Sequence, residues 1–246
     1  MARENRSPVE APQVIRVLKH DALGRVELVR DARGEFVRRV AEGRHFPGAS
    51  WLARRLLARE RRALARLAGV AGVARLVEAR AEARVLERSW LAGVPLCLAE
   101  SLPRDFFERL EELVRALHAR GVCHNDLHKE GNVLVGEDGR PALVDFQLAS
   151  VHPRGGRSFA ARAREDLRHV WKHRSFYLAA LGEPDPLAGR APRRGFVAGL
   201  WRRFGKPLYR ALTRPAWLRG RLASGEPRRG KHGPWPRWSA PVGPRS

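Results

Sequence analysis

The stretch CHNDLHKEGNVLVGEDGRPALVDFQLA, residues 123–149, decides how the chain is read. Two aliphatic runs, Val133–Val135 and Ala142–Val144, flank GEDGRP, whose Asp138-Gly139 pair is a tight-turn signal. That pattern predicts a β-hairpin. His124, Asp126, Asn132 and Asp145 then fall at strand ends and in the loop before the first strand. Scaffolds place chemistry at such positions, while packing residues lie within the strands.

Upstream, PRDFFERLEELVRALHAR (103–120) predicts an amphipathic helix with Phe106, Leu110, Leu113 and Leu117 on one face and Gly121 as its stop. Before it, 74–79 and 83–90 read as strands. Residues 50–69 read as a helix capped by Ser50 and ended by Gly69, with Leu52, Leu56, Leu57, Ala63, Leu64 and Leu67 near helical spacing. Three strands with turns between them, 14–18, 25–30 and 34–40, predict an antiparallel meander. Residues 1–12 are polar and expected to be flexible. Downstream, 159–181 and 195–220 read as helices, the second broken at Gly205 and Pro207. Residues 221–246, rich in Gly, Pro and Arg, are expected to be disordered.

The bulk numbers bound the function classes. At 246 residues and 43% hydrophobic, the chain can bury a core. The net charge of +22 is carried by five lysines and 43 arginines, a skew that a GC-rich genome would also produce. Such a field attracts anions: nucleotide, phosphorylated sugar, nucleic acid or an anionic membrane. Two isolated cysteines, Cys97 and Cys123, suit a reduced cytosol rather than a disulfide framework. The N-terminal stretch has no apolar core of signal-peptide length, and no run approaches 18 apolar residues. These features predict a cytoplasmic protein, with peripheral contact at the inner membrane face as an option.

The sequence His124-x-Asp126-Leu127, followed by Asn132 and then Asp145-Phe146, resembles the catalytic core of the protein-kinase-like superfamily. The resemblance covers about residues 15–215. It implies an α+β, bilobal fold: a small antiparallel-sheet N-lobe (13–95) and a minimal, mostly helical C-lobe (96–220). It also implies ATP and Mg²⁺. Phosphoryl transfer asks a protein mainly for positioning and charge neutralisation. Asp126 would take up the acceptor hydroxyl proton, with His124 bracing the loop. Asp145 and Asn132 would offer hard oxygens to Mg²⁺. Glu60, in ARERRALARL, matches the helix glutamate that usually pairs with a strand-three lysine. The third strand, EFVRRV, has no lysine, so Arg39, or Arg38 in the other register, would contact the α- and β-phosphates. Backbone groups around Glu87–Ser89 would read the adenine edge. Asp166 would brace the catalytic loop from a helix.

Several departures narrow the subtype. Asn132 lies six residues after Asp126, one more than in the family loop. Gln147 stands where D-F-G has glycine, no G-x-G-x-x-G precedes the meander, and HDALGR is the remaining candidate flap. With a short segment after Asp145, the chain is similar to small bacterial RIO-like kinases and to the kinases of lipopolysaccharide-core Kdo or heptose. The expected acceptor is thus a protein serine or threonine, or a lipid-linked sugar. A pseudokinase binding module is the competing reading. His128 and Lys129 are either phosphate or substrate contacts or solvated loop residues. A zinc site from Cys123, His124 and His128 lacks a fourth ligand. In the tail, Trp201, Trp217, Trp235 and Trp238 interleave with Arg, a pattern suited to a lipid headgroup layer. Nucleic acid is the less expected partner.

Overall fold

Alternation of buried aliphatics with arginines and glutamates builds the first sheet. β1 (Gln13–Asp21), β2 (Gly24–Asp31) and β3 (Gly34–Ala41) form the expected meander. After α1 (Ala49–Arg66) the chain adds β4 (Val85–Ser89) beside β3, giving the order β1-β2-β3-β4. Leu28, Val29, Phe36, Val37 and Leu86 are buried, each worth about 1.5–3 kcal/mol when fully withdrawn from water. HDALGR is the tight β1–β2 turn, in which Asp21 Oδ1 accepts the Leu23 N–H at 2.9 Å.

The protein is described here from a computed structural model, covering residues 12–43, 47–77, 83–185 and 237–239. Its chain divides into two compact units. One comprises Met1–Leu57 with Leu76–Trp90, the other Ala58–Arg75 with Leu91–Ser246. The antiparallel sheet followed by helices is the α+β architecture of a bilobal kinase-like fold. The end of α1, Glu60 included, groups with the second unit.

Two local readings change. Ser50 does not cap α1, because the helix already includes Ala49 and the Gly48 carbonyl accepts the Leu52 N–H at 2.9 Å. The strand expected over 74–79 is absent from Ala74–Val77. Val73 makes one bridge to Leu143 and Leu76 one bridge to Arg88. The chain passes from one unit to the other at Arg75, so its pairing partner changes before a ladder can grow. Residues 78–82 lie outside the described residues.

In the second unit, β5 (Gly93–Pro95) leads to β6 (Ser101–Pro103) and α2 (Phe106–Ala119). All four stripe residues of α2 are buried. Gly121 follows at φ 69°, where a Cβ would lie 2.7 Å from the His152 carbonyl oxygen, so glycine alone fits the turn. β7 (Val122–Cys123) enters the catalytic loop. β8 (Val133–Gly136) and β9 (Pro141–Leu143) are the predicted hairpin, sheeted in the order β5-β8-β9. β10 (Ser150–Val151) returns to pair with β7, and α3 (Arg157–Ala180) follows.

The expected helix over 195–220 lies outside the described residues, as do residues 1–11 of the stretch 1–12 expected to be flexible and most of the tail. Arg237–Ser239, expected to be disordered, instead forms β11, which pairs in parallel with β6. The Arg237 N–H donates to the Glu100 carbonyl at 2.8 Å, and the Arg104 guanidinium sits 5.8 Å from the Trp238 ring. The open backbone edge of β6 and a cation–π contact supply the attachment. Among the described residues no helix is long and apolar enough to cross a membrane.

Candidate active site

The loop between β7 and β8 is held by one face of α3. Asp166, His173 and Tyr177 are spaced seven and four residues apart, which puts them on one helical face. Asp166 is 1% exposed. Its Oδ2 accepts the His124 N–H at 2.8 Å and its Oδ1 the Asn125 N–H at 2.9 Å. His118 Nε2, from α2, donates to the same carboxylate at 3.2 Å. His173 Nε2 donates to the Leu127 carbonyl at 2.8 Å. The Tyr177 hydroxyl meets the Leu96 carbonyl at 3.1 Å and Glu130 Oε2 at 3.2 Å. Thus α3 bonds to the loop at residues 124, 125, 127 and 130.

Within this frame four of the predicted residues come together. His124 is fully buried, and its Nε2 donates to the Val144 carbonyl at 3.0 Å, next to Asp145. Its ring packs 4.6 Å from that of Phe146. Asn132 Nδ2 donates to Asp126 at both the backbone oxygen (3.0 Å) and Oδ2 (3.1 Å). The Asn132 carbonyl accepts the Val144 N–H at 3.1 Å. Hydrogen bonds therefore link Asp126 to Asn132, and Asn132 and His124 to the residue before Asp145.

Asp126 is 3% exposed, and a nitrogen donor meets each of its oxygens. His128 Nδ1 lies 3.0 Å from Oδ1 and Lys129 Nζ 3.1 Å from Oδ2. Burial pushes its pKa up, but the bond from His128 and the charges of Lys129 and His128 outweigh this and hold the carboxyl below its ordinary value. Among the described residues His124 and His128 do not gather with Cys123 into a ligand set; the side chains grouped with the Cys123 thiol are His118 and Asp166. Burial and the neighbouring Asp166 charge push the Cys123 thiol up to about 12, so it stays protonated.

Asp145 has φ 65°, a left-handed conformation uncommon outside glycine, which aims its side chain out of the strand line. Gln147 Nε2 donates to Asp145 Oδ1 at 2.6 Å. The amide that replaces the family's glycine thus fixes the rotamer of this carboxylate. Both bonds from Asn132 to Asp126 use Nδ2, so neither engages Oδ1. Asn132 Oδ1 and Asp145 Oδ2 are hard oxygen donors, the type that suits Mg²⁺.

In the first unit, the β3–β4 register pairs Arg38 with Glu87 and Phe36 with Ser89. Arg38 Nε donates to Glu87 Oε1 at 2.9 Å, so strand alternation turns Arg39 to the opposite face, where it is 8% exposed. The Glu87 carbonyl accepts the Val77 N–H at 3.0 Å, which engages one of the backbone groups assigned to adenine. Glu60, in the second unit, is 1% exposed. A glutamate that reads as an ordinary exposed helix residue in a run of arginines is buried.

Residues 8–155, more than half of the chain, match the phosphotransferase enzyme family, APH. The chain belongs to that family. It is also similar to CBL-interacting serine/threonine-protein kinase 15 of Arabidopsis thaliana, with 32% identity over 42% of this chain and 22% of the relative. A probable SapB synthase of Streptomyces coelicolor is 35% identical over 43% of this chain and 14% of its own length. CBL-interacting protein kinase 16 of Oryza sativa is 43% identical over 22% of this chain and 12% of its own. The chain spans less than a quarter of the length of these curated relatives.

Four residues of this phosphotransferase-family site escaped the sequence reading as contributors: His118, His173, Tyr177 and Gln147. Their signal was the spacing of Asp166, His173 and Tyr177 in DLRHVWKHRSFY, which reads as polar until the loop is placed against it. A fifth, His169, carries a pH dependence. Burial pushes its pKa down to about 4, with Arg168, His128 and His173 acting the same way and Glu165 opposing. Above pH 6.5 it is neutral in both folded and unfolded chains. Between 6.5 and 4 the unfolded chain takes up a proton that the folded one refuses, so stability falls with acid. Thermal melts from pH 7 to 4 should show this decline, and His169→Gln should flatten it; identical slopes would exclude His169 as the cause.

Proposed function

We propose that the chain is an ATP- and Mg²⁺-dependent phosphotransferase of the atypical, RIO-like bacterial type, moving the γ-phosphoryl group of ATP to a hydroxyl. A protein serine or threonine is the favoured acceptor. The observation that carries the reading is the hydrogen-bonded set Asp126–Asn132–Val144, with Asp145 adjoining, on a loop braced by Asp166. Asp126 orients the acceptor hydroxyl and takes its proton as the new O–P bond forms and the bond to the leaving ADP breaks. Asn132 and Asp145 supply the ligands for Mg²⁺, which would neutralise phosphate charge. Gln147 keeps Asp145 in one rotamer, and His124 ties the loop to the Val144 carbonyl. On the nucleotide side, Arg39, on the face of β3 opposite Arg38, is the phosphate contact, with Glu60 as the matching acid and the Glu87–Ser89 backbone beside the adenine.

Two sources support a protein acceptor or a lipid-linked one respectively. One of the relatives is named a serine/threonine-protein kinase and another a protein kinase. The arginine- and tryptophan-rich C-terminal part suits contact with an anionic inner membrane face, where each basic residue adds about 1 kcal/mol. Trp238 already packs beneath Arg104, so the remaining tryptophans would carry that contact. Incubation with labelled ATP, Mg²⁺ and a cell-envelope fraction should place label in protein. Label in lipopolysaccharide-core sugar would select the Kdo- or heptose-kinase reading. Nucleotide binding without any transfer would select the pseudokinase.

A further inference from the structure

The carboxylate assigned to the acceptor proton is not open to an acceptor as it stands. Asn132, 6% exposed and bonded to two Asp126 oxygens, is fixed in place. The other two partners are near solvent: the His128 side chain is 54% exposed and that of Lys129 31%. A hydroxyl that reaches Asp126 must therefore displace one of these two side chains. When Lys129 leaves, it can be hydrated, but the buried carboxylate loses its charge partner, which is costly; an anion on the acceptor would receive the departing ammonium beside the site.

The surroundings favour an incoming anion. Glu130, the loop's other acid, is turned to the Tyr177 hydroxyl. Arg162 Nη1 stands 3.5 Å from Asn125 Oδ1 at the loop's outer edge. The His169 ring lies 5.8 Å from that of His128, and Arg168 is bound to Glu165.

We propose that Lys129, with the His128 ring beside it, clamps Asp126 and that the acceptor opens this clamp with its own negative charge, so that the enzyme selects hydroxyls flanked by a carboxylate or phosphate. The inference rests on the phosphotransferase reading and names the acceptor class for it. Lys129 sits in the seven-residue span DLHKEGN, and its Nζ lies 3.1 Å from Asp126 Oδ2.

The first test is calorimetric titration of the nucleotide-free protein with two matched pairs: glucuronate against glucose, and a Glu-flanked against a Gln-flanked serine peptide. The acidic member of at least one pair should bind roughly tenfold more tightly or better. Lys129→Met should remove that difference, while Lys172→Met, on the exposed side of α3, controls for general positive charge. Equal binding within both pairs, no binding at all, or a preference that survives in Lys129→Met combined with His128→Gln overturns the clamp. The peptide and sugar arms separate the two sources of the anion.

The second test uses water as acceptor. Lys129→Met should raise Mg²⁺-ATP hydrolysis roughly tenfold by uncovering the carboxylate. A fall, with weaker ATP binding, would place Lys129 on the γ-phosphate and overturn the proposal. The two readings fail differently. Charge-selective binding with no Mg²⁺-ATP turnover removes the phosphotransferase and leaves the clamp, whereas equal turnover of acidic and neutral acceptors removes only the clamp.

Discussion

Asp126→Asn is expected to lower Mg²⁺-dependent phosphoryl transfer by about 10²- to 10⁴-fold, the usual range for losing a positioned proton acceptor. The substitution is nearly isosteric, and the loop's support does not depend on the lost charge. Asp166 still takes the His124 and Asn125 N–H groups, and Asn132 still has the Asp126 backbone oxygen. His128 and Lys129 lose their ion pair, yet both reach solvent and can be hydrated. The fold should therefore survive while turnover falls. The check is a steady-state rate with saturating ATP beside a thermal melt of the same preparation. Turnover within threefold of the parent would show that Asp126 does not handle the acceptor proton.

Asp166→Ala is expected to damage the fold and the site together. Its carboxylate accepts two backbone N–H groups and His118, from a position withdrawn from water. Each buried N–H left without a partner costs about 1–3 kcal/mol. Two of them imply a loss of roughly 2–6 kcal/mol, or a melting temperature lower by on the order of 10 °C. Asn125 makes the effect larger. It holds φ 64°, and its Nδ2 ties the Cys123 and Leu148 carbonyls and Ser150 Oγ together, so loss of its N–H partner would loosen that whole junction. His118→Ala removes a bond without orphaning a backbone donor and should cost less. If Asp166→Ala melts within a degree or two of the parent, the loop must be held by other contacts. His173 at Leu127 and Tyr177 at Glu130 are the ones to remove next.

Much of this architecture was legible from the chain alone, and for a local reason. The meander, the hairpin and the three described α-helices follow from periodicity and turn residues, which act over a few positions. Motif spacing was enough to place His124, Asp126, Asn132 and Asp145 at neighbouring strand ends, because the hairpin register is set by its own turn. What spacing could not convey was which polar groups meet across long separations. Asp166 lies 42 residues from His124 and Tyr177 lies 47 from Glu130, and such pairs depend on the packing of α2, α3 and the loop into one unit.

The same limit explains the misread pieces. Ser50 has the right chemistry for a cap, but Gly48 takes the first helical bond. Residues 74–77 have strand composition, but they cross between units and find no continuous partner. Arg237–Ser239 looks like part of a structureless tail, but an open edge of β6 receives it. Local order along the chain settled most element types and singled out the residues proposed to react. Only the tertiary structure decided which side chains cover Asp126 and which helix face holds its loop. Those contacts need the burial and fixed geometry that residues distant in sequence acquire when they pack together.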